Sequence, residues 1–396
     1  MSHRADPQFL SELKNYGKVN IESCFNCGNC TAVCPLSTEN DNFPRRMIRY
    51  AQLGMKNKLL GSKELWLCYY CGECTATCPR QADPGEFMAA ARRYSIAKYD
   101  RLGLARLLYT SPLFNSSFLV LLAAALGALF YSFHGVMSGD TLQLFSFIPS
   151  ALIHDAGVVA GLLVILVAIS GVITMAVHIS KEAGFVVGSR LDWLSALKET
   201  IAELVGQKRY RTDCDLYATE QPWYAQRWFI HGSMLWGFAG LFAATGLDYL
   251  LELIGVKATG TFVPLWYPVR LLGTIAGLML MYGTTAAIVK RMQKADEGSA
   301  YSTPSDWAFL MLLWLGGLTG FVLEVAIYLP QPHTWSYWML LIHLVVVGEL
   351  IILLPFTKFM HAMYRTVALY FHTLRPVAEA VRNGAGTADN TQITRT

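Results

Sequence analysis

Beyond residue 110 the chain is dominated by long apolar runs, whereas its first hundred residues mix short apolar stretches with polar ones. Six runs reach or approach the roughly 20 residues a helix needs to cross a bilayer. They extend over Phe118 to Val136, Gly157 to Ile179, Phe229 to Leu253, Leu265 to Val289, Trp307 to Leu329 and Tyr337 to Phe359. Each is read as a transmembrane helix. Shorter patterns fill the remainder. The stretch from Pro44 to Gly54 opens with proline and closes at glycine, the usual start and stop signals of a helix, and the stretch opening at Pro84 reads the same way. Between the second and third runs, Trp193, Leu194, Leu197, Ile201, Leu204 and Val205 recur at helical spacing, with Lys198, Glu199 and Glu203 on other faces. That predicts an amphipathic helix, lying on the membrane surface or packed beneath the first hundred residues. No strand-like alternation competes, so the expected class is all-α. From Thr373 onward the chain turns polar, and a loose tail is expected.

Composition and charge sharpen this picture. Charged residues make up 15% of the 396 and the mean hydropathy is +0.35, against about 25% charged residues in soluble domains. Lys and Arg gather on one side of the predicted spans. Arg92, Arg93, Lys98, Arg101 and Arg106 precede the first; Lys181, Arg190, Lys198, Lys208, Arg209, Arg211 and Arg227 lie between the second and third. Lys290, Arg291 and Lys294 follow the fourth, and Lys358 and Arg365 the sixth. Basic loops stay inside, so both termini are expected in the cytoplasm. The apolar runs begin too late to act as an export signal, which keeps the first hundred residues in a reducing compartment. The net charge of +4 follows from topology, and no basic stripe points to nucleic acid.

The first hundred residues carry an internal repeat. Cys24, Cys27, Cys30 and Cys34 are followed by Pro35, and Cys68, Cys71, Cys74 and Cys78 by Pro79, at identical spacing. Three cysteines three residues apart wrap one face of an iron–sulfur cube, and in two-cluster ferredoxins the fourth ligates the other cluster. The expected sets are therefore crossed: Cys24, Cys27, Cys30 and Cys78 on one 4Fe–4S centre, Cys68, Cys71, Cys74 and Cys34 on the second. Disulfides and structural zinc are the alternatives, and zinc usually takes its cysteines in pairs. Cys214, the ninth cysteine, belongs to neither run.

Ionisable residues inside a membrane are costly and mark function by default. His231 follows Arg227 at the inner end of the third run, and His361 follows Lys358 at the inner end of the sixth. Two imidazoles at one depth suit the axial ligands of a b-type haem. His343 lies 18 residues before His361 on the same predicted helix, about 27 Å or five turns away, so the two are expected to share a face and to serve two stacked haems. The partner of His343 is open. Leu241 stands where the third run would offer one, and His154 is the candidate put forward, with His134 and His333 nearer the outer boundary. His178 competes for the inner site. Any of these also reads as an interfacial imidazole. Asp248, Glu252, Glu324 and Glu349 are intramembrane acids suited to proton handling, or simply buried and hydrogen-bonded.

These motifs carry a resemblance. The segment His343 to His361, with Pro355-Phe356 before the second histidine, resembles the haem-ligating last helix of respiratory nitrate reductase gamma subunits, and His231 to Leu241 is similar to their partner helix. That family has a second histidine where this chain has Leu241. The first hundred residues resemble the C subunit of heterodisulfide reductase. The fusion resembles membrane subunits of quinone-interacting membrane-bound oxidoreductase complexes, and the same modules occur in hydrogenase, formate dehydrogenase and heterodisulfide reductase complexes. The resemblance implies an α-helical ferredoxin domain over 1–105, a six-span haem b domain over 106–372 and a tail over 373–396. It implies two 4Fe–4S clusters, one or two haems b, menaquinone or a related quinone, and soluble cytoplasmic flavin/iron–sulfur partners. The implied role is electron transfer in a quinone-linked oxidoreductase of the cytoplasmic membrane, with no catalytic residue of its own. The alternatives are a membrane anchor of one of those related complexes, a redox-driven proton translocator and a redox-sensing anchor without turnover.

Overall fold

Helix is the regular secondary structure found throughout the described residues, and the one β contact among them is an isolated bridge between Thr38 and Asp41. The structure, a computed structural model, describes residues 5–38, 41–138, 141–183, 193–207, 210–211, 221–294, 301–329 and 333–374. Cys214, Arg190, Lys208, Arg209 and nearly all of the expected tail lie outside them. The all-α reading holds. The described residues pack as two units, one drawn from 1–101, 170–214 and 360–396, the other from 102–169 and 215–359.

In the first unit the central element is the helix Pro84–Tyr99, with 13 of its 16 residues buried. A helix buried on all sides needs partners on all sides, and Phe9, Leu13, Met47, Ile48, Leu65 and Trp66 are among the buried residues of this core. Truncating an aromatic such as Phe87 to alanine costs about 3–5 kcal/mol. Asp83 caps the helix, accepting from the Glu86 N–H at 3.4 Å, and its carboxylate accepts from the Thr75 hydroxyl at 3.0 Å. The helix Arg45–Gln52 starts after Pro44 and stops before Gly54. Gly54 has φ +70°, and a Cβ there would stand 2.3 Å from the Asp6 carbonyl oxygen. Only glycine fits.

Three further helical stretches belong to this unit. Residues 170–183 place Gly171 under the Tyr364 hydroxyl, 2.5 Å from where a Cβ would stand. The helix Trp193–Gly206 is the expected amphipathic one, and it buries Ala196 and Thr200, the latter 3.4 Å from the Thr373 hydroxyl of the helix Met360–Thr373. Its six predicted apolar positions are exposed. Small residues allow close helix approach, so packing selects Ala196 and Thr200 over the bulky face.

Among the described residues six helices are long and apolar enough to cross a membrane. Their bounds shift from the hydropathy limits because caps set helix ends. Pro112–Ser132 begins where the Ser111 hydroxyl accepts from the Phe114 N–H at 3.2 Å. Ser150–Ala183 runs for 34 residues, about 50 Å and longer than a hydrocarbon core of about 30 Å. Arg227–Leu253, Pro268–Gln293 and Pro304–Tyr328 follow, two of them opening on proline. In the second unit Leu121, Leu163, Leu166 and Phe242 are exposed, a surface suited to hydrocarbon. Arg227–Leu253 and Pro268–Gln293 meet through small residues: a Cβ on Gly237 would stand 2.5 Å from the Leu280 nitrogen, and one on Gly283 2.9 Å from the Ile230 carbonyl.

The sixth run corrects an expectation. Its helix Thr334–Leu353 gives way to a 3₁₀ turn over Leu354–Phe356, Thr357 is extended, and helix resumes at Met360. Pro355 has no N–H to give the preceding turn, and its ring disfavours continuation. His343 and His361 thus stand on separate helical segments, His343 in the second unit and His361 in the first. Five unbroken turns do not connect them, so they are not fixed to one helix face.

Candidate metal centres

The two cysteine loops fold alike. Asn26 and Tyr70, each two residues past the first cysteine, have φ +66° and +58°; Gly28 and Gly72, two residues further on, have φ +95° and +94°. Left-handed residues at these positions curl the chain around a common centre before the short helical turns Asn29–Ala32 and Glu73–Ala76. Glycine takes this conformation without cost.

Packing then mixes the loops. Cys34 of the first loop and Cys68, Cys71 and Cys74 of the second line one pocket, walled by Pro35, Phe43 and Met88. Cys30 has the thiols of Cys24, Cys27 and Cys78 as neighbours. Each loop's first three cysteines are thus accompanied by the fourth of the other. Burial, and next the neighbouring Cys68, push the Cys34 thiol up to about 12. Burial likewise raises Cys30 and Cys74, with other thiols adding to the shift. Metal binding must displace these protons. The Tyr70 N–H donates to the Cys68 sulfur and the Ala82 N–H to the Cys78 sulfur, both at 3.4 Å. Four soft donors around an apolar cavity, with amide donors aimed at sulfur, fit an iron–sulfur cluster. Among the described residues no three His, Cys, Asp or Glu side chains converge on a single-ion site.

Residues 20–82 match the 4Fe-4S dicluster domain family. The chain is 32% identical over 133 residues to citrate utilization protein B of Escherichia coli, covering 33% of this chain and 32% of that protein. It is 34% identical over 62 residues to the C subunit of the H2:CoB-CoM heterodisulfide, ferredoxin reductase of Methanothermobacter thermautotrophicus, covering 16% and 34%. It is 29% identical over 101 residues to the E subunit of the dihydromethanophenazine:CoB-CoM heterodisulfide reductase of Methanosarcina mazei, covering 25% and 39%. The chain thus spans about a third of the length of the curated relatives it matches. No solved structure matches it.

Around the dicluster domain the structure adds residues that sequence reasoning missed. The last carbonyls of the short helix Glu64–Leu67, which leads into Cys68, are all taken by arginines. Arg92 donates from Nε to Leu65 O at 2.9 Å and from Nη2 to Cys68 O. Arg365 donates from Nη1 to Trp66 O and Leu67 O, both at 3.0 Å, and its guanidinium lies 4.3 Å from the Tyr69 ring centre. Cations at a helix C-terminus satisfy orphan carbonyls. Trp66 is fully buried, 5.0 Å from the Tyr364 ring and 5.9 Å from His361; Tyr99 lies 5.8 Å from His178 and 6.2 Å from Trp66. An aromatic cluster therefore adjoins both histidines and the backbone that carries Cys68. In the sequence, Arg92 and Arg365 signal topology alone.

The remaining histidines have distinct surroundings. His343 Nδ1 is 2.8 Å from the Thr319 hydroxyl oxygen, which also lies 2.7 Å from Leu315 O and 3.3 Å from Gly316 O. When the hydroxyl gives its proton to a carbonyl it accepts from His343 Nδ1–H, and Nε2 then keeps the lone pair a metal ligand requires. Gly320 lies against the ring, where a Cβ would stand 3.4 Å from His343 Cε1. His178 is fixed the same way, Nδ1 donating to Thr174 O at 2.8 Å. His231 is exposed on the second unit. His154 lies 4.6 Å from the Tyr249 ring, with Nε2 4.0 Å from Glu252. Lys257 donates to both Asp248 oxygens at 2.7 Å and stands 3.8 Å from Glu252. The structure thus gathers His154 with Asp248, Glu252 and Lys257, and gives His343 to Thr319. His134 and His333 stack on Tyr131 and Trp335. Glu324 accepts from the Thr274 hydroxyl at 2.6 Å.

Proposed function

We propose that this chain is the membrane electron-transfer subunit of a quinone-linked oxidoreductase, passing electrons between a quinone and a soluble flavin/iron–sulfur partner. The observation that carries the reading is the union, in one chain, of a dicluster domain with six apolar helices, a histidine and an aromatic cluster standing beside the backbone that leads to Cys68. Cys24, Cys27, Cys30 and Cys78 would hold one cluster, and Cys68, Cys71, Cys74 and Cys34 the other. His361 and His231 would be the ligands of an inner haem b, and His343 a ligand of an outer one, His154 being the partner put forward. Clusters and haem, when bound, accept and release single electrons. The protein's part is to hold such centres close, bury them and set their charge environment.

The polar group of Asp248, Glu252 and Lys257 is the proposed site of quinone proton exchange. A carboxylate beside an ammonium can pass a proton without a charge being left unpaired in the membrane. Placement of the dicluster domain and both termini in the cytoplasm is supported by the basic residues flanking the spans. The similarity to heterodisulfide reductase subunits supports a complex of that kind, and membership of the quinone-interacting membrane-bound oxidoreductase family rests on the motifs given above.

Iron, acid-labile sulfide and pyridine haemochrome are to be measured on the purified full chain. About eight irons in sulfide clusters with one or two haems b are expected, and the reduced haem should reoxidise on addition of a menaquinone analogue. Zinc in place of iron, or haem that does not respond to the analogue, overturns the reading.

A further inference from the structure

The two cluster loops are held by equivalent side chains that differ in charge. Gln52 stands eight residues after Pro44, and Arg92 stands eight residues after Pro84, the prolines that open the two helices of the repeat. Gln52 Nε2 donates to Ile21 O at 2.9 Å and to Cys24 O at 3.2 Å. Arg92 donates to Leu65 O and Cys68 O. Ile21 and Cys24 correspond to Leu65 and Cys68 in the repeat, three residues before the first cysteine and that cysteine itself. The same two carbonyls are therefore clamped in each loop, by a neutral amide in the first and a guanidinium in the second.

Other charged groups stand near both loops. Each loop has a further arginine on an aromatic ring: Arg80 donates to Ser23 O at 3.3 Å and lies 6.0 Å from the Phe25 ring centre, in the place that Arg365 takes at Leu67 and Tyr69. Arg80 is exposed and Arg365 half-buried, so water screens the first more. Arg45 reaches toward Gly28 in the first loop. Glu86, buried beside the second, accepts from the Tyr70 hydroxyl. These groups form a constant background when Gln52 or Arg92 alone is changed.

A cluster gains negative charge on reduction, so a fixed cation beside it favours the reduced form and raises its potential, most where water is excluded. We propose that Gln52 and Arg92 are equivalent clamps whose charge difference tunes the two clusters apart, Arg92 raising the reduction potential of the cluster held by the second loop. The inference rests on the cluster reading above, and a chain that binds no iron would fail that reading, not this one.

The test is a potentiometric titration of the cluster-loaded full chain followed by electron paramagnetic resonance, with iron counted in each variant. Arg92→Gln should lower the midpoint potential of one cluster only, Arg92→Lys should keep it near the wild-type value, and Gln52→Arg should raise the potential of the other cluster. Wild-type iron content with both potentials unmoved in Arg92→Gln and Gln52→Arg overturns the proposal. Should Arg92→Gln lose a cluster, Gln52→Arg decides alone, an unmoved potential again counting against it.

Discussion

Cys34 and Cys78 each face the thiols of the opposite loop, which makes single substitutions diagnostic. Cys34→Ser is expected to remove about four irons and the same resonance signal as Cys68→Ser, while Cys78→Ser should match Cys24→Ser. Iron counts with electron paramagnetic resonance check this, and a Cys34→Ser spectrum matching Cys24→Ser would refute the crossed set. The cysteine positions were legible because ligand spacing is a local property. The hydrogen bond of His343 was not, because its partner is Thr319, 24 residues away on another helix. Thr319→Val leaves His343 Nδ1 without that partner, at about 1–3 kcal/mol for a polar group left unpaired. A lower unfolding temperature in detergent, restored by Thr319→Ser, is the expected outcome. A Thr319→Val protein as stable as wild type would mean that the bond carries little.

Among elements, the six apolar helices and the repeat's helices were foreseen from periodicity and run length, and their ends moved to the capping residues. Hydropathy reads average solvent preference over a window, whereas a helix ends where backbone hydrogen bonds stop, at Ser111, Pro268, Thr303 or the Pro355 turn. The break at Pro355 carried a signal, a proline inside an apolar run, that the histidine spacing overrode. Contact between Arg227–Leu253 and Pro268–Gln293 depends on Gly237, where a Cβ would meet the Leu280 backbone at 2.5 Å. Gly237→Val must push the helices apart, at about 1–3 kcal/mol for overpacking. Thermal unfolding in detergent should fall accordingly, and a wild-type midpoint would show that the helices part freely. The helix Trp193–Gly206 teaches the converse: its pattern foretold its existence, but its packed side is Ala196 and Thr200.

At the level of the whole molecule, the first unit joins the dicluster domain to residues 170–183, 193–206 and 360–373, parts that lie far apart in sequence. Its core surrounds a cavity with raised thiols, so removal of iron should loosen this unit. Chelation of the loaded chain is expected to lower the first melting transition while the helical signal of the six long apolar helices persists to higher temperature, followed by circular dichroism. A single unchanged transition would mean that the clusters do not stabilise the fold. The sequence by itself determined the helical class, the six membrane-length runs and the doubled cysteine loops, since each rests on spacing within a few turns of chain. Only the tertiary structure decided which carbonyls Gln52, Arg92 and Arg365 hold, and that His154 joins Glu252 while His343 joins Thr319. Those are contacts between residues distant in the chain, set by how helices pack, and no local pattern encodes them.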